Sequence, residues 1–251
     1  MKKFALIGQG ISHSLSPLLF NTLYRATKGY SYDLIDAPTL EKGLEILTGM
    51  GYSGANITAP FKEKILEKCI AADEASSSIG ASNLVLNKKE GLYAYNTDHM
   101  GVSGPLLSRN TDNRSKVVVA GAGGAARAAV YALKQIGCEI TIINRTWNKA
   151  RRLAEETGCR AVETDNSNSV IKECNVLVYT ATSLIKGIDT GILKKAIILE
   201  ANYKDPVLQN IDCKEYISGK EWLIHQAIPS FKAMTCIAPA PDELFKIIDN
   251  R

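Results

Sequence analysis

The chain has 251 residues, 45% hydrophobic and 22% charged, with a formal net charge of +4, values ordinary for a soluble protein with one large or two modest cores. Its basic residues are scattered, so the clustered stripe expected of a nucleic-acid surface is missing, and no long uncharged apolar run reads as a signal core or a membrane span. The six cysteines form no C-x-x-C pair and the three histidines no H-x-x-x-H spacing, which argues against a catalytic metal and for small buried thiols in a reducing, cytoplasmic setting.

In chain order, Phe4–Ile7, Tyr32–Ile35, Ala55–Thr58 and Asn83–Leu86 read as strands, and Ser16–Ala26, Leu40–Met50 and Pro60–Ala72 as helices. Such alternation predicts an α/β layer with a mostly parallel sheet. Leu92–Tyr95 follows the polar, Gly-containing turn 87–91 and predicts a hairpin with the strand before it. The polar stretch 108–115 is the best candidate for a domain junction. Beyond it come strands at Val117–Val119, Ile140–Ile143, Val176–Tyr179, Ala196–Leu199 and Glu215–Ile217, then a helical stretch from Trp222 to the C-terminus. The fold class is therefore α/β with two domains: residues 1–102 plus 221–251, and a Rossmann-type domain over 103–220.

The strand Lys116–Ala120 runs into Gly121-Ala122-Gly123-Gly124-Ala125-Ala126 and a helix follows, which is G-x-G-x-x-[G/A] in its required context. Gly121 permits the tight turn, Gly123 lets backbone approach a pyrophosphate, and Ala126 lets helix and strand pack closely. The phosphates would rest on the N–H groups of the helix start. An NAD-type site needs a carboxylate at the end of the second strand for the ribose 2′-hydroxyl. Here Asn144-Arg145-Thr146 stands there, with Lys149 one helical turn on. A planar cation and hydroxyl donors suit a 2′-phosphate, so NADP(H) is expected over NAD(H).

The first half has its own polar cluster. Ser16 before Pro17 reads as an N-cap, which leaves Ser14 without a structural task. Lys62 follows Pro60 in the first turn of an expected helix, where the dipole disfavours a cation. It is either a solvated lysine beside Glu63 or one whose pKa is lowered for proton transfer. Asp98 either caps the helix that follows it or serves chemistry. Ser14, Ser16, Thr58, Lys62, Asn83 and Asp98 all fall near strand ends, where open α/β sheets gather their ligands. Hydroxyls, an amide, a cation and a carboxylate suit a small polyhydroxylated acid.

Taken together, these segments resemble the shikimate/quinate dehydrogenase family over nearly the whole chain. Ser14-Leu15-Ser16-Pro17 is similar to its S-x-S-P substrate signature, and Asn56 to Glu63 to its N-[VI]-T-x-P-x-K-E motif. Gly80-Ala81-Ser82-Asn83, Asn96-Thr97-Asp98, the glycine turn, Asn144-Arg145-Thr146 and the Gln226-Ala227 segment follow in the family's order. The resemblance implies that Lys62 and Asp98 are a catalytic pair. It places Ser14, Ser16, Thr58, Asn83, Tyr203 and Gln226 on the substrate. It places Gly121, Ala122, Gly123, Gly124, Ala125, Asn144, Arg145, Thr146, Lys149, Thr180, Thr182 and Gly219 on NADP(H).

The implied reaction is reversible reduction of 3-dehydroshikimate to shikimate in a cleft between two domains, by a monomer or homodimer, without nucleic acid, membrane or metal. A broader quinate/shikimate dehydrogenase and a weakly catalytic metabolite-binding regulator are the alternatives. The chain departs from the pattern at Thr180, where the family has Asn, and at Glu200, where it has Asp. It also carries an extra residue before Pro206, His99 after Asp98, and Cys236 where Gly is common.

Overall fold

A computed structural model describes residues 1–239 and 241–249. The chain divides into two units, Met1–Thr97 with Ile224–Arg251, and Asp98–Leu223.

The first unit begins with β1 (Lys2–Gly8), α1 (Ser16–Thr27), β2 (Tyr30–Asp36), α2 (Leu40–Gly49) and β3 (Gly54–Ile57). It continues through β4 (Ala71–Ala72), α3 (Glu74–Ile79), β5 (Leu84–Lys88) and β6 (Gly91–Tyr95). The sheet order is β2-β1-β3-β5-β6-β4. β1 pairs in parallel with β2 and β3, β4 with β6, while the β3–β5 and β5–β6 pairs are antiparallel. The expected hairpin is therefore present, and the sheet is mixed. β1 is buried from Phe4 to Gly8 because it lies between two strands with both faces covered. Ala5, Ile7, Ile35, Leu40, Leu47, Ile57, Phe61 and Ile65 form a core on one face.

The second unit holds α4 (Asp98–Leu107), β7 (Lys116–Ala120), α5 (Gly124–Ile136), β8 (Glu139–Ile143), α6 (Trp147–Thr157) and β9 (Arg160–Ala161). Then come α7 (Ser167–Glu173), β10 (Val176–Tyr179), β11 (Ile197–Glu200) and β12 (Glu215–Ile217). All five strand pairs are parallel, in the order β12-β11-β10-β7-β8-β9. That is the doubly wound dinucleotide-binding order, whose direction reverses at the β7–β10 crevice. α5 lies on the sheet through Ala126, Ala129, Val130, Ala132 and Leu133, small enough for close helix–strand packing. Gly137 and Gly158 end α5 and α6 in the left-handed conformation. α8 (Gly219–Thr235) starts in this unit and ends in the first, followed by α9 (Pro241–Asp249). Among the described residues no helix is long and apolar enough to cross a membrane.

Two local expectations are corrected, and one helix forms where none was expected. The expected helix over 60–72 is a single 3-10 stretch, Lys64–Lys68, followed by β4. Ile70 donates its N–H to the Leu92 carbonyl, and Ala71 and Ala72 pair with Tyr93 and Ala94, so sheet hydrogen bonds capture the segment. α3 forms over a serine-rich run of weak helix propensity because Asp73 accepts from the Ser76 N–H at one end and Gly80 turns left-handed at the other. The closing helical stretch is two helices. α8 stops at Cys236, whose φ is 64°, with its N–H on the Lys232 carbonyl, and Pro239 and Pro241 follow.

A side chain with a Cβ is strained at that φ, where glycine is not. Cys236→Gly should raise unfolding stability by about 1 kcal/mol, read as a higher denaturant midpoint at unchanged m-value.

Candidate functional site

In the first unit the sequence-predicted residues lie near the carboxyl ends of β1, β3 and β6 and the amino end of the antiparallel β5. Thr58 follows β3 directly, donates its N–H to the Ile7 carbonyl and accepts from the Phe61 N–H through its own carbonyl. Its methyl lies against Gly8 so closely that a Cβ at Gly8 would collide with it. The two serines exchange the tasks expected of them. Ser16 is the first residue of α1 and buried, while the Ser14 hydroxyl accepts from the Ser16 N–H at 3.2 Å, beside an αR Leu15 with no side-chain cap. Lys62 is half-buried in the turn after β3, and its carbonyl accepts from the Ser82 N–H. Lys64–Lys68 is a 3-10 stretch, so Lys62 does not stand in the first turn of an α-helix.

Asn83 and Gln226 belong to a buried polar network. The Asn83 amide donates to Thr97 Oγ1 at 2.9 Å and to Gln226 Oε1 at 3.0 Å, and its side-chain oxygen accepts from the Thr97 N–H at 2.7 Å. Thr97 shares a 2.8 Å hydrogen bond with Ser230 on α8. Asn56 donates to Ser230 and to the Asn83 carbonyl, and accepts from the Tyr32 hydroxyl at 2.8 Å. The chain of contacts joins β2, β3, the start of β5, the end of β6 and α8, and it orients the Asn83 and Gln226 amides. Tyr32 and Ser230 were not anticipated, since a tyrosine in an apolar strand and a serine in a helix give no local signal of meeting.

In the second unit the glycine turn has the expected form. Gly121 has φ 132°, and a Cβ there would strike Thr180 Oγ1. Thr180 in turn donates its hydroxyl and its N–H to the Ala120 carbonyl. Thr180 thus seals the back of the turn. Nothing lies within 4 Å of a Cβ built on Gly123, so the backbone there is open to a ligand. Gly123 is the N-cap of α5, with no side-chain cap and no acidic residue in the first turn. Ala122, Gly124 and Ala125 are half-buried beside it.

At the end of β8, Arg145, Thr146 and Lys149 lie at the surface, Asn144 donates to the Thr146 carbonyl, and Thr146 caps α6 without a side-chain bond. Further along α6, Arg151 and Arg152 are paired with Glu155 and Glu156, whereas Arg145 and Lys149 have no ion pair among the described residues. Two uncompensated cations at a helix N-terminus favour an anion there. Glu156 also holds Arg127 of α5 at 2.7 Å, tying the turn helix to the helix behind the cations. Hydrogen bonds from Arg152 foremost, then Arg127, hold the Glu156 carboxyl below its ordinary range. These residues fit a 2′-phosphorylated dinucleotide.

Asp98 opens α4 and is buried, and its helix packs Gly101 against Trp222, where a Cβ would meet the indole ring. Tyr203 is half-buried and Thr182 lies in the loop after β10, as Tyr203 does after β11. Gly219 opens α8 with its Cα against the Ala201 carbonyl.

Family models match on both units: the shikimate dehydrogenase substrate-binding domain over residues 6–85 and shikimate/quinate 5-dehydrogenase over residues 106–206. The chain belongs to this family. The NADP(+) shikimate dehydrogenase of Pyrococcus abyssi is 31% identical, across 95% of this chain and 94% of that protein. The enzyme of the same name from Methanosarcina barkeri is 31% identical, across 97% and 95%. The shikimate 5-dehydrogenase of Thermus thermophilus, solved with NADP(H) and shikimate, superposes with a TM-score of 0.88 at 27% identity, covering 100% of this chain and 99% of that one. The order of the family's two models matches the two units described above.

Ser230 is fully buried and serves both Asn56 and Thr97. Ser230→Ala should cost about 1–3 kcal/mol in urea unfolding, because it strands partners away from water. A change under about 0.5 kcal/mol would mean the network is not maintained in solution.

Proposed function

We propose that the chain is an NADP-dependent shikimate dehydrogenase that interconverts 3-dehydroshikimate and shikimate, with the first unit holding substrate and the second holding cofactor. The observation that carries the cofactor half is the pair of cations without an ion pair among the described residues, Arg145 and Lys149, beside a carboxylate-free β8 end. They would clasp the 2′-phosphate, while the N–H groups at the start of α5 take the pyrophosphate. When bound, NADP(H) supplies or accepts the hydride.

The chain's own residues supply recognition and proton transfer. Ser14 and Ser16, at the entrance to α1, offer hydroxyls to the substrate carboxylate. Thr58, Asn83, Tyr203 and Gln226 recognise its ring hydroxyls, and the network behind Asn83 and Gln226 sets which amide atoms donate and which accept. Lys62 hydrogen-bonds the carbonyl oxygen at C3 and delivers its proton as the alkoxide develops, and Asp98 shares that step with it. Thr182 and Gly219 border the nicotinamide half, because β10 and β11 lie on that side of the β7–β10 reversal. With all six cysteines single thiols, we place the enzyme in the cytoplasm.

The deciding assay follows NADP⁺ reduction by shikimate through the absorbance of the reduced nicotinamide, with quinate and NAD⁺ in parallel; no turnover with any pair would refute the reading. Lys62→Ala should lower kcat by about 10²–10⁴-fold, the usual contribution of a general acid–base group, with a modest change in substrate affinity. Arg145→Ala should raise KM for NADP⁺ by about 10-fold or more while leaving NAD⁺ within about two-fold, since one charge-assisted contact to the 2′-phosphate is lost. Equal effects on both cofactors would dismiss the clamp.

A further inference from the structure

β11 reads Ile197-Ile198-Leu199-Glu200, three aliphatic residues and then a carboxylate with no exposed surface. A carboxylate taken out of water costs far more than an aliphatic side chain gains there, unless its lone pairs are satisfied. Here each oxygen accepts a backbone N–H. Val207 donates to Oε1 at 2.7 Å and Leu208 to Oε2 at 3.1 Å, and the Tyr216 hydroxyl donates to Oε2 at 2.8 Å. Tyr179 stands opposite Glu200 in the β10–β11 register, on the same face. The Tyr179 hydroxyl donates to the Ser183 carbonyl and accepts from the Ile185 N–H, so the loop after β10 is clipped beside the loop after β11. Burial foremost, with the Glu200 charge adding to it against the Ile185 hydrogen bond, pushes the Tyr179 phenol up to about 12, so it stays a neutral donor.

The segment 201–206 is thereby anchored at both ends. Its start is held by the Ala201 N–H on the Tyr179 carbonyl, and by the Ala201 carbonyl packed on the Cα of Gly219. Its end is held by Glu200 through Val207 and Leu208. Between them Asn202 accepts from the Lys204 and Asp205 N–H groups and donates to the Asp205 carbonyl, leaving Tyr203 on a closed turn.

We propose that Glu200 is a positioning residue for the reaction: its carboxylate, seated on Val207, Leu208 and Tyr216, sets the turn that presents Tyr203 and the Ala201–Gly219 contact to the nicotinamide end of the site. The inference rests on the functional reading above for what the turn faces, and on these hydrogen bonds for what holds it. Glutamine cannot replace Glu200, because an amide has one accepting atom and in either orientation its NH₂ would face a backbone N–H, of Val207 or Leu208. Aspartate keeps two acceptors but is a methylene shorter.

The test compares full-length wild type, Glu200→Gln, Glu200→Asp and Tyr216→Phe. Three readouts serve: steady-state kinetics with shikimate and NADP⁺, amide exchange at Val207 and Leu208, and affinity for adenosine 2′,5′-bisphosphate, which lacks the nicotinamide half. In Glu200→Gln, exchange at the two amides should accelerate and kcat should fall, each by about 10-fold or more, while adenosine 2′,5′-bisphosphate affinity stays within about two-fold. Glu200→Asp should recover part of kcat. Tyr216→Phe, which keeps both N–H contacts, should lower kcat by about two- to five-fold.

Unchanged exchange in Glu200→Gln would overturn the latch, and faster exchange with kcat and KM near wild type would overturn its role in the reaction. If Glu200→Gln loses adenosine 2′,5′-bisphosphate binding through misfolding, Tyr216→Phe decides, and wild-type exchange and kcat there would overturn the proposal. A wild-type chain without shikimate turnover would sink the functional reading, while the exchange comparison still judges the latch.

Discussion

Strands buried on both faces cannot carry chemistry along their length. In β1, β7, β10 and β11 nearly every side chain is out of water, and each strand backbone is committed to two neighbours, so a polar side chain in mid-strand would be stranded at a cost of kcal/mol. The polar residues of the candidate site therefore lie at strand ends, where strands release the chain into turns and helix N-termini. The placement of Thr58, Asn83, Thr97, Gly121, Asn144, Thr180 and Glu200 follows from that one restriction, as does the gathering of glycines where backbones must pass closely.

A second consequence concerns the polar groups that do enter the interior. They are held in closed hydrogen-bonded sets. Tyr32, Asn56, Asn83, Thr97, Gln226 and Ser230 satisfy one another in the first unit, and Glu200 with Tyr216, Val207 and Leu208 in the second. Such sets are worth little net stability, because the bonds replace bonds to water. Removing one member, however, leaves its partners unpaired. They act as constraints on geometry, aiming amides and turns that isolated loops of the same sequence would leave free. Thr180 against Gly121 is the same device on a smaller scale, with a hydroxyl filling the space that only a glycine leaves.

Where sequence reasoning erred, hydrogen bonding overrode intrinsic preference. Residues 60–72 contain good helix formers, yet the edge of the first sheet claimed Ala71 and Ala72. Ser16 before Pro17 has the form of a cap, yet Ser14 accepts the bond at the helix entrance. The serine-rich α3 is the reverse case, a helix made by its caps. Glu200 was visible as a charged residue ending an apolar strand, but its partners lie 7, 8 and 16 residues further on, beyond the reach of any periodicity.

The sequence by itself determined the two α/β halves, the dinucleotide turn and the absence of a carboxylate after β8, because these depend on residues adjacent in the chain: strand, glycine turn, helix, and the strand end that follows. Family membership was legible for the same reason, since its motifs are short and contiguous. Only the tertiary structure decided that the first sheet is mixed, and what surrounds Asn83, Gln226 and Glu200. Those outcomes turn on hydrogen bonds between residues up to 174 positions apart, and a buried donor or acceptor takes whichever partner the assembled core brings within reach.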